Sequence, residues 1–297
     1  MDELIIASRA VHFAAVALLF GAPLFRLAMA PKQAGFVASR SLEIGAAIAA
    51  LVSGIGWFAG VAADMAGSWA DAATPDILQA VTFDTRFGHL WIARLVLLLA
   101  LIAVQALGHP SRARDALLAV LAAAFAASLV GVGHGMTGAG HGAGISRLHM
   151  LADMVHLLCA AGWIGGLVCL GLLLHRAIGG RVTPDVARAA VRRFSVMGYW
   201  AVALLLISGC INAVVLVPSP ASLIESDYGR ALLIKLTLVA VMVAVALRNR
   251  LVLTPQIMGA APGGGLKSLW RSVAAEQGIG LMVLAAAAWL GTIHPGP

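Results

Sequence analysis

Four histidines occupy matched positions along the chain. His12 and His156 are each followed by a glycine nine residues later, and His134 and His294 each close a Gly-x-x-His sequence. Imidazole can ligate a transition metal, bind haem iron or exchange a proton. His12 and His156 lie inside apolar stretches, where a polar group is costly and usually faces the interior of a helical bundle. These four residues are therefore candidate ligands, although an interhelical hydrogen bond is the other explanation for a histidine at that depth.

A second pattern surrounds His156. The residues His149, Asp153, His156 and Trp163 are separated by four, three and seven positions, a spacing that places them on one face of a helix. Asp153 could accept a hydrogen bond from a neighbouring imidazole and hold it in the orientation that a ligand needs. The alternative is that the Asp153 carboxylate simply extends to the nearby membrane surface.

Sulfur and basic groups complete the candidate site. Met136 follows His134 by two residues in a glycine-rich loop, where a thioether has little core to fill, and imidazole with thioether suits copper, especially Cu(I). Arg94 and Lys235 are intramembrane cations at matched positions, and we expect them to pair with Asp84, Glu225 or Asp227 or to extend to the surface. The predicted metal ligands are His12, His134, Met136, His149, His156 and His294, with Asp153, Trp163 and Lys235 in support.

Composition determines which elements can hold these residues. Hydrophobic residues make up 61% of the 297 residues and charged residues only 11%, with a mean hydropathy of +0.95, whereas soluble domains carry about 25% charged residues. This excludes a soluble enzyme and a nucleic-acid binder, despite a net charge of +7. Eight stretches are long enough to cross a bilayer core as helices, at about 20 residues each. They are residues 4–28, 38–63, 88–108, 112–133, 147–174, 190–217, 229–248 and 268–292.

The predicted fold is all-α: a polytopic membrane protein with eight transmembrane helices. Most basic residues lie in the connections that follow the odd-numbered spans, so the positive-inside rule places both termini outside the cytoplasm. Matched motifs in spans 1–4 and 5–8 predict two parallel repeats, residues 1–144 and 145–297, within a single transmembrane domain. Chance similarity between Ala-, Leu- and Gly-rich helices is the alternative to a repeat.

Several motifs together resemble the bacterial copper resistance protein D family over essentially the whole chain. They are Asp153-x-x-His156, Trp163-x-Gly165-Gly166, Tyr228-Gly229-Arg230 with Lys235, Asn249-Arg250, and a last span that carries Glu276. The resemblance implies an eight-helix inner-membrane protein that imports copper from the periplasm, in some cases with a periplasmic copper-binding partner of the copper resistance protein C type. His12, His134 and His156 match the recurrent histidines of that family.

Two functions remain open from the sequence. The first is copper transport from the periplasm to the cytoplasm through an intramembrane His/Met site. The sequence shows no ATP-hydrolysing motif, so movement would be passive or ion-coupled, with Asp153 as a candidate for proton coupling. The second is a b-type haem oxidoreductase such as a cupric reductase, with His12/His134 and His156/His294 as axial pairs. Four candidate axial ligands near one side of the membrane are a poor arrangement for electron transfer across it.

Overall fold

The computed structural model describes residues 2–30, 40–132, 143–217, 219–259 and 265–293. Within these residues, eight helical spans are long and apolar enough to cross a membrane, which confirms the predicted fold class and number of spans. The membrane-spanning helices are α1 (Asp2–Ala28), α2 (Arg40–Ala66), α5 (Arg86–Leu107), α6 (Arg112–Ala127), α7 (Ala143–Ile178), α8 (Pro184–Leu216), α10 (Asp227–Arg248) and α12 (Leu266–Leu290).

Short helical segments complete the connections. The connection between α2 and α5 contains α3 (Trp69–Ala72), α4 (Pro75–Gln79) and a π-helix at Ala80–Asp84, and α9 (Ser222–Glu225) precedes α10. A 3-10 turn at Ser128–Val132 extends α6, while a π-helix at Asn249–Leu253 and α11 (Thr254–Gly259) extend α10.

Matched hydroxyl caps begin the third and seventh spans. Thr85 accepts a hydrogen bond from the Gly88 amide, and Ser226 accepts one from the Gly229 amide, each at 2.9 Å. Such caps satisfy amide groups that the first turn of a helix leaves without partners.

Helices α1 and α7 form the centre of the bundle. Helix α1 packs against α2, α6, α7 and α12, and α7 packs against α8, α12 and α1. The two central helices meet at Gly21 and Gly165, where a Cβ on Gly165 would lie 1.9 Å from the Ala17 carbonyl oxygen. Small residues let helix backbones approach this closely in a membrane, where dispersion rather than water exclusion holds helices together.

The buried apolar side chains form two main clusters. One cluster joins α1, α2, α5 and α6, and the other is centred on α7, α8 and α12, with α1 contributing to both. Many large apolar side chains on the outer faces are exposed, for example Val214 and Leu107. Exposure of this kind suits contact with lipid, so the polar residues inside the bundle are the ones that need an explanation.

Replacing Gly165 tests the contact between the central helices. We expect Gly165→Leu to lower the free energy of unfolding by roughly 1–3 kcal/mol. The added side chain would clash with the backbone of α1, so the two helices would have to move apart. The measurement is thermal or denaturant unfolding of the detergent-solubilised protein. Gly278→Ala in α12 is the matched control, since a Cβ there meets nothing within 4 Å. Equal stability of both variants would contradict the close approach.

Candidate functional site

His12 is fully enclosed among the first four spans. Its Nδ1 lies 3.0 Å from the Ala50 carbonyl oxygen and 3.1 Å from Ser53 Oγ, both on α2. Its Nε2 lies 2.6 Å from an Nη2 donor of Arg94 on α5. Trp57, Trp91 and Phe125 surround the ring, with centroids 5.6–5.9 Å away.

The hydrogen bonds of His12 determine where its lone pair lies. A guanidinium only donates, so Nε2 must accept from Arg94 and Nδ1 must carry the proton. Arg94 is itself 1% exposed and also donates to the Phe125 carbonyl and to Ser128 Oγ on α6. A metal could therefore bind His12 only if Arg94 moved away from a position held by three acceptors.

A second guanidinium lies one helical turn from His12. Arg9 is buried, and its Cζ lies 4.6 Å from the centre of the Trp57 ring, a cation–π distance. We define the His12 cluster as Arg9, His12, Ser53, Trp57 and Arg94. Two permanent positive charges and the absence of a carboxylate make this cluster repel cations.

His156 has a matched environment among the last four spans. Its Nδ1 lies 3.2 Å from Ser208 Oγ on α8, and its ring also bonds the Leu205 carbonyl. Ser208 donates to the Leu204 carbonyl, as Ser53 does to the Ala49 carbonyl. The approach of α2 and α8 is also matched: a Cβ on Gly54 or on Gly209 would lie 3.6 Å from Cε1 of the respective histidine.

The cation beside His156 is a lysine rather than an arginine. Lys235 on α10 interacts electrostatically with both His156 and Asp153. The expected acidic partners of Arg94 were wrong, because Arg94 donates to His12 and to α6 inside the bundle. Lys235 has Asp153 as its electrostatic partner rather than an acid at the end of a span. An ammonium can release its proton when buried, whereas a guanidinium retains its charge.

Asp153 is the centre of a polar cluster with no counterpart in the first four spans. Its Oδ1 accepts a hydrogen bond of 3.3 Å from Asn212 Nδ2 on α8. His149, one turn earlier on α7, and Tyr228 on α10 also interact with it electrostatically. We define the Asp153 cluster as His149, Asp153, His156, Asn212 and Lys235.

Two side chains of this cluster have a buried polar atom without a hydrogen-bond partner among the described residues. His149 is 1% exposed, and within the described part of the chain its Nδ1 has no hydrogen-bond partner. The same is true of the buried Asn212 Oδ1. Buried polar atoms are nearly always paired, so unpaired ones beside a carboxylate indicate space for a cation or an ordered water.

The two clusters carry different residues at equivalent sequence positions. Counting back three residues from His12 and His156 leads to Arg9 and Asp153. Counting forward four residues from Ser53 and Ser208 leads to Trp57 and Asn212. Relative to the matched histidine and serine, the first four spans therefore carry Arg9 and Trp57 where the last four carry Asp153 and Asn212.

The structure brings together only part of the predicted site. His149, Asp153, His156 and Lys235 lie in one cluster, whereas the contacts of His12 are with α2, α5 and α6. Trp163 lies further along α7 and donates a hydrogen bond to Glu276 on α12. His134, Met136 and His294 lie outside the described residues. Among the residues that the structure does describe, no three His, Cys, Asp or Glu side chains form a ready-made metal site.

Sequence reasoning undervalued the residues of α8. Neither Ser208 nor Asn212 is among the predicted site residues, yet both contact candidate residues on α7. The spacing of four between them was the available signal, because it places both side chains on one helical face. Asn249 and Glu276 belong to the motifs of the family resemblance, but only the structure shows that their side chains meet.

Comparisons with known proteins identify the family. Residues 1–145 match the model described as copper resistance protein D-like, N-terminal domain, and residues 188–290 match the model described as copper resistance protein D. Inner membrane protein YebZ of Escherichia coli (strain K12) is 34% identical over 98% of both chains. Copper resistance protein D of Pseudomonas syringae pv. tomato is 31% identical over 99% of this chain and 97% of its own length.

A longer relative matches as well. Copper transport protein CutJ of Bacillus subtilis (strain 168) is 30% identical over 79% of this chain, which corresponds to 42% of that relative. No solved structure matches the chain. With its eight spans, and with two relatives that align from end to end, this chain belongs to the copper resistance protein D family.

Proposed function

We propose that this protein carries copper across the bacterial inner membrane, from the periplasm to the cytoplasm, through its last four spans. The Asp153 cluster is the entry site, and the side of the bundle that holds the N-terminus faces the periplasm. The printed names of the relatives, an inner membrane protein, a copper resistance protein and a copper transport protein, support copper as the cargo.

The contrast between the two clusters carries the proposal. A cation approaching the His12 cluster meets two guanidinium groups, and His12 has no free lone pair. A cation approaching the Asp153 cluster meets a carboxylate, the unpaired Nδ1 of His149 and the unpaired Oδ1 of Asn212. The cluster also holds one cation, Lys235, but an ammonium, unlike a guanidinium, can release its proton when a metal ion binds. Nitrogen and oxygen donors around one negative charge are what a bound metal ion requires.

Helix α7 supplies a continuous face from this entry site towards the opposite side of the membrane. His149, Asp153, His156 and Trp163 share one face, and the 14 residues from His149 to Trp163 span about 21 Å at 1.5 Å per residue. Several weak sites along such a face allow an ion to leave as well as to bind. His156, with a lysine that can give up its proton, is the second site on this path.

The first contact with copper is assigned to the glycine-rich loop with His134 and Met136, which lie outside the described residues. A thioether there favours Cu(I), whereas the nitrogen and oxygen donors of the Asp153 cluster also suit Cu(II). Delivery by a periplasmic protein of the copper resistance protein C type remains a prediction from the family resemblance.

The haem alternative does not fit the surroundings of His12. An axial ligand needs a free nitrogen lone pair and an open ring face for the porphyrin. Nε2 of His12 accepts from Arg94, and three aromatic rings occupy the space around the imidazole. We therefore do not assign haem chemistry to the first four spans.

Loss of a donor from the Asp153 cluster should abolish copper binding. We expect His149→Ala and Asp153→Asn each to weaken copper binding by the purified protein at least about tenfold, because each removes a donor or the only carboxylate. The same variants should lose copper accumulation in cells. Titration with a competing copper chelator measures the first effect, and metal analysis of cells measures the second.

A matched variant separates a specific loss from general damage. His109→Ala removes an exposed imidazole between α5 and α6 and should bind copper as the unmodified protein does. Unchanged affinity and accumulation in both cluster variants would overturn the proposed entry site.

Variants of His12 and His156 distinguish the two clusters. We expect His12→Ala to lower the free energy of unfolding by about 1–3 kcal/mol, because it leaves a buried Arg94 donor without its acceptor, and to leave copper affinity intact. His156→Ala should reduce copper transport. Unfolding and copper titration of both proteins check this, and an equal loss of affinity in His12→Ala would make His12 a ligand after all.

A further inference from the structure

A cavity of about 100 Å³ lies among α7, α8, α10 and α12, on the side of the bundle opposite to the N-terminus. Its walls are mostly apolar, with Leu167, Phe194 and Val273 among the lining residues. Two of its lining residues, Glu276 and Asn249, are polar and almost completely buried, at 2% and 7% exposure. A space of this size beside polar groups can hold ordered water.

Glu276 is held by neutral donors. Asn249 Nδ2 donates to its Oε2 at 2.9 Å, and Trp163 donates a second hydrogen bond. Among the ion pairs of the described residues, none involves Glu276. A buried carboxylate without a positive partner is strongly disfavoured, so this residue must take up a cation of its own.

The charged and titratable groups around the cavity do not supply that cation. Arg250 lines the cavity, but it donates to the carbonyl and Oγ of Ser195 and lies 3.6 Å from the centre of the Tyr199 ring. Arg248 reaches Ser272 Oγ at 3.5 Å. Helix α7 presents Trp163 to Glu276, and α8 presents Tyr199 to the cavity; neither side chain is a basic group.

We propose that Glu276 is an exchangeable proton-binding site, and that its proton is coupled to the movement of copper. Unlike the Asp153 cluster, which contains two imidazoles, the described residues that line this cavity include no His, Cys or Met, so the Glu276 site suits a proton better than a copper ion. The copper sites and the proton site would then lie at opposite ends of the same face of α7. The coupling part of this inference rests on the proposed function, whereas the proton-binding part does not.

The Asn249 side chain is suited to both protonation states of Glu276. Its Nδ2 donates to the carboxylate, and its Oδ1 is buried and has no hydrogen-bond partner within the described part of the chain. Rotation of the amide would present Oδ1 as the acceptor for a protonated Glu276. Asn249 begins the π-helix Asn249–Leu253, and its own carbonyl accepts from Thr254 Oγ1 at 2.8 Å. Single π-turns of this kind are often found at functional sites.

The equivalent positions in the first four spans hold charged residues instead of cavity-lining ones. Five residues after Gly21 and Gly165 lie Arg26 and Leu170, and ten residues before Ser53 and Ser208 lie Glu43 and Gly198. Arg26 forms buried ion pairs with Glu43 and with Asp115 on α6. Leu170 and Gly198 instead line the cavity. These positions therefore hold an ion-pair network in the first four spans. In the last four spans they hold Leu170 and Gly198, which line the same cavity as Glu276.

Infrared difference spectroscopy tests proton binding without copper. The protein reconstituted in lipid vesicles is taken from high to low pH, and the carboxylic acid C=O band is followed. We expect a buried carboxyl band that disappears in Glu276→Gln but persists in Asp153→Asn and in Glu225→Gln. The last variant makes the same chemical change at an exposed residue of α9. An unchanged band in Glu276→Gln, or a carboxylate band that responds to Na⁺ but not to pH, would overturn the inference.

Copper flux tests the coupling. In vesicles with a pH difference of one unit, acid on the entry side, each coupled proton can raise copper accumulation by up to about tenfold. We expect this dependence on the pH difference in the unmodified protein and its loss in Glu276→Gln, with Glu276→Asp retaining part of it. An unaltered pH response in Glu276→Gln overturns the coupling. If the unmodified protein moves no copper, the proposed function fails, and the infrared titration alone decides whether Glu276 binds a proton.

Discussion

The constraint on which this structure depends is that a polar group inside a bilayer needs a partner from the protein itself. Water is absent from the hydrocarbon core, so every intramembrane histidine, arginine, lysine and acid must bond to neighbouring helices or hold a ligand. His12 meets this requirement completely, through the Ala50 carbonyl, Ser53 and Arg94. Within the described residues, buried atoms without partners occur in both halves, but those near the polar clusters differ in kind. Beside His12 they are N–H donors, among them the guanidinium groups of Arg9 and Arg94, whereas beside Asp153 and Glu276 they include the amide oxygens of Asn212 and Asn249.

The two halves of the bundle share one arrangement of polar residues but differ in the side chains around it. Each half has a histidine on a central helix, a serine on the next helix and a cation on the third, in the order His12, Ser53, Arg94 and His156, Ser208, Lys235. In the first four spans, Arg9, Trp57 and the Arg26–Glu43–Asp115 network occupy the remaining space. In the last four, the same register carries Asp153, Asn212, Leu170 and Gly198, which leaves polar acceptors at one end and a cavity at the other. The two halves therefore differ in what occupies equivalent positions.

The close contact at Gly21 and Gly165 joins the two halves of the bundle. It brings the central helices of both halves together, so that rigid packing on one side of α7 supports a polar face on the other. A membrane protein gains little from water exclusion between helices, and tight backbone contact is a main source of its cohesion.

The sequence by itself determined the fold class and the number of spans, because apolar stretches of about 20 residues have no stable conformation in a bilayer other than a helix. It also determined that His149, Asp153, His156 and Trp163 share a face, since helical periodicity is local. Only the tertiary structure decided which helix each face meets. Arg94 bonding His12, Asn212 bonding Asp153 and Asn249 bonding Glu276 all join residues far apart in the chain, and no spacing within one helix specifies such contacts.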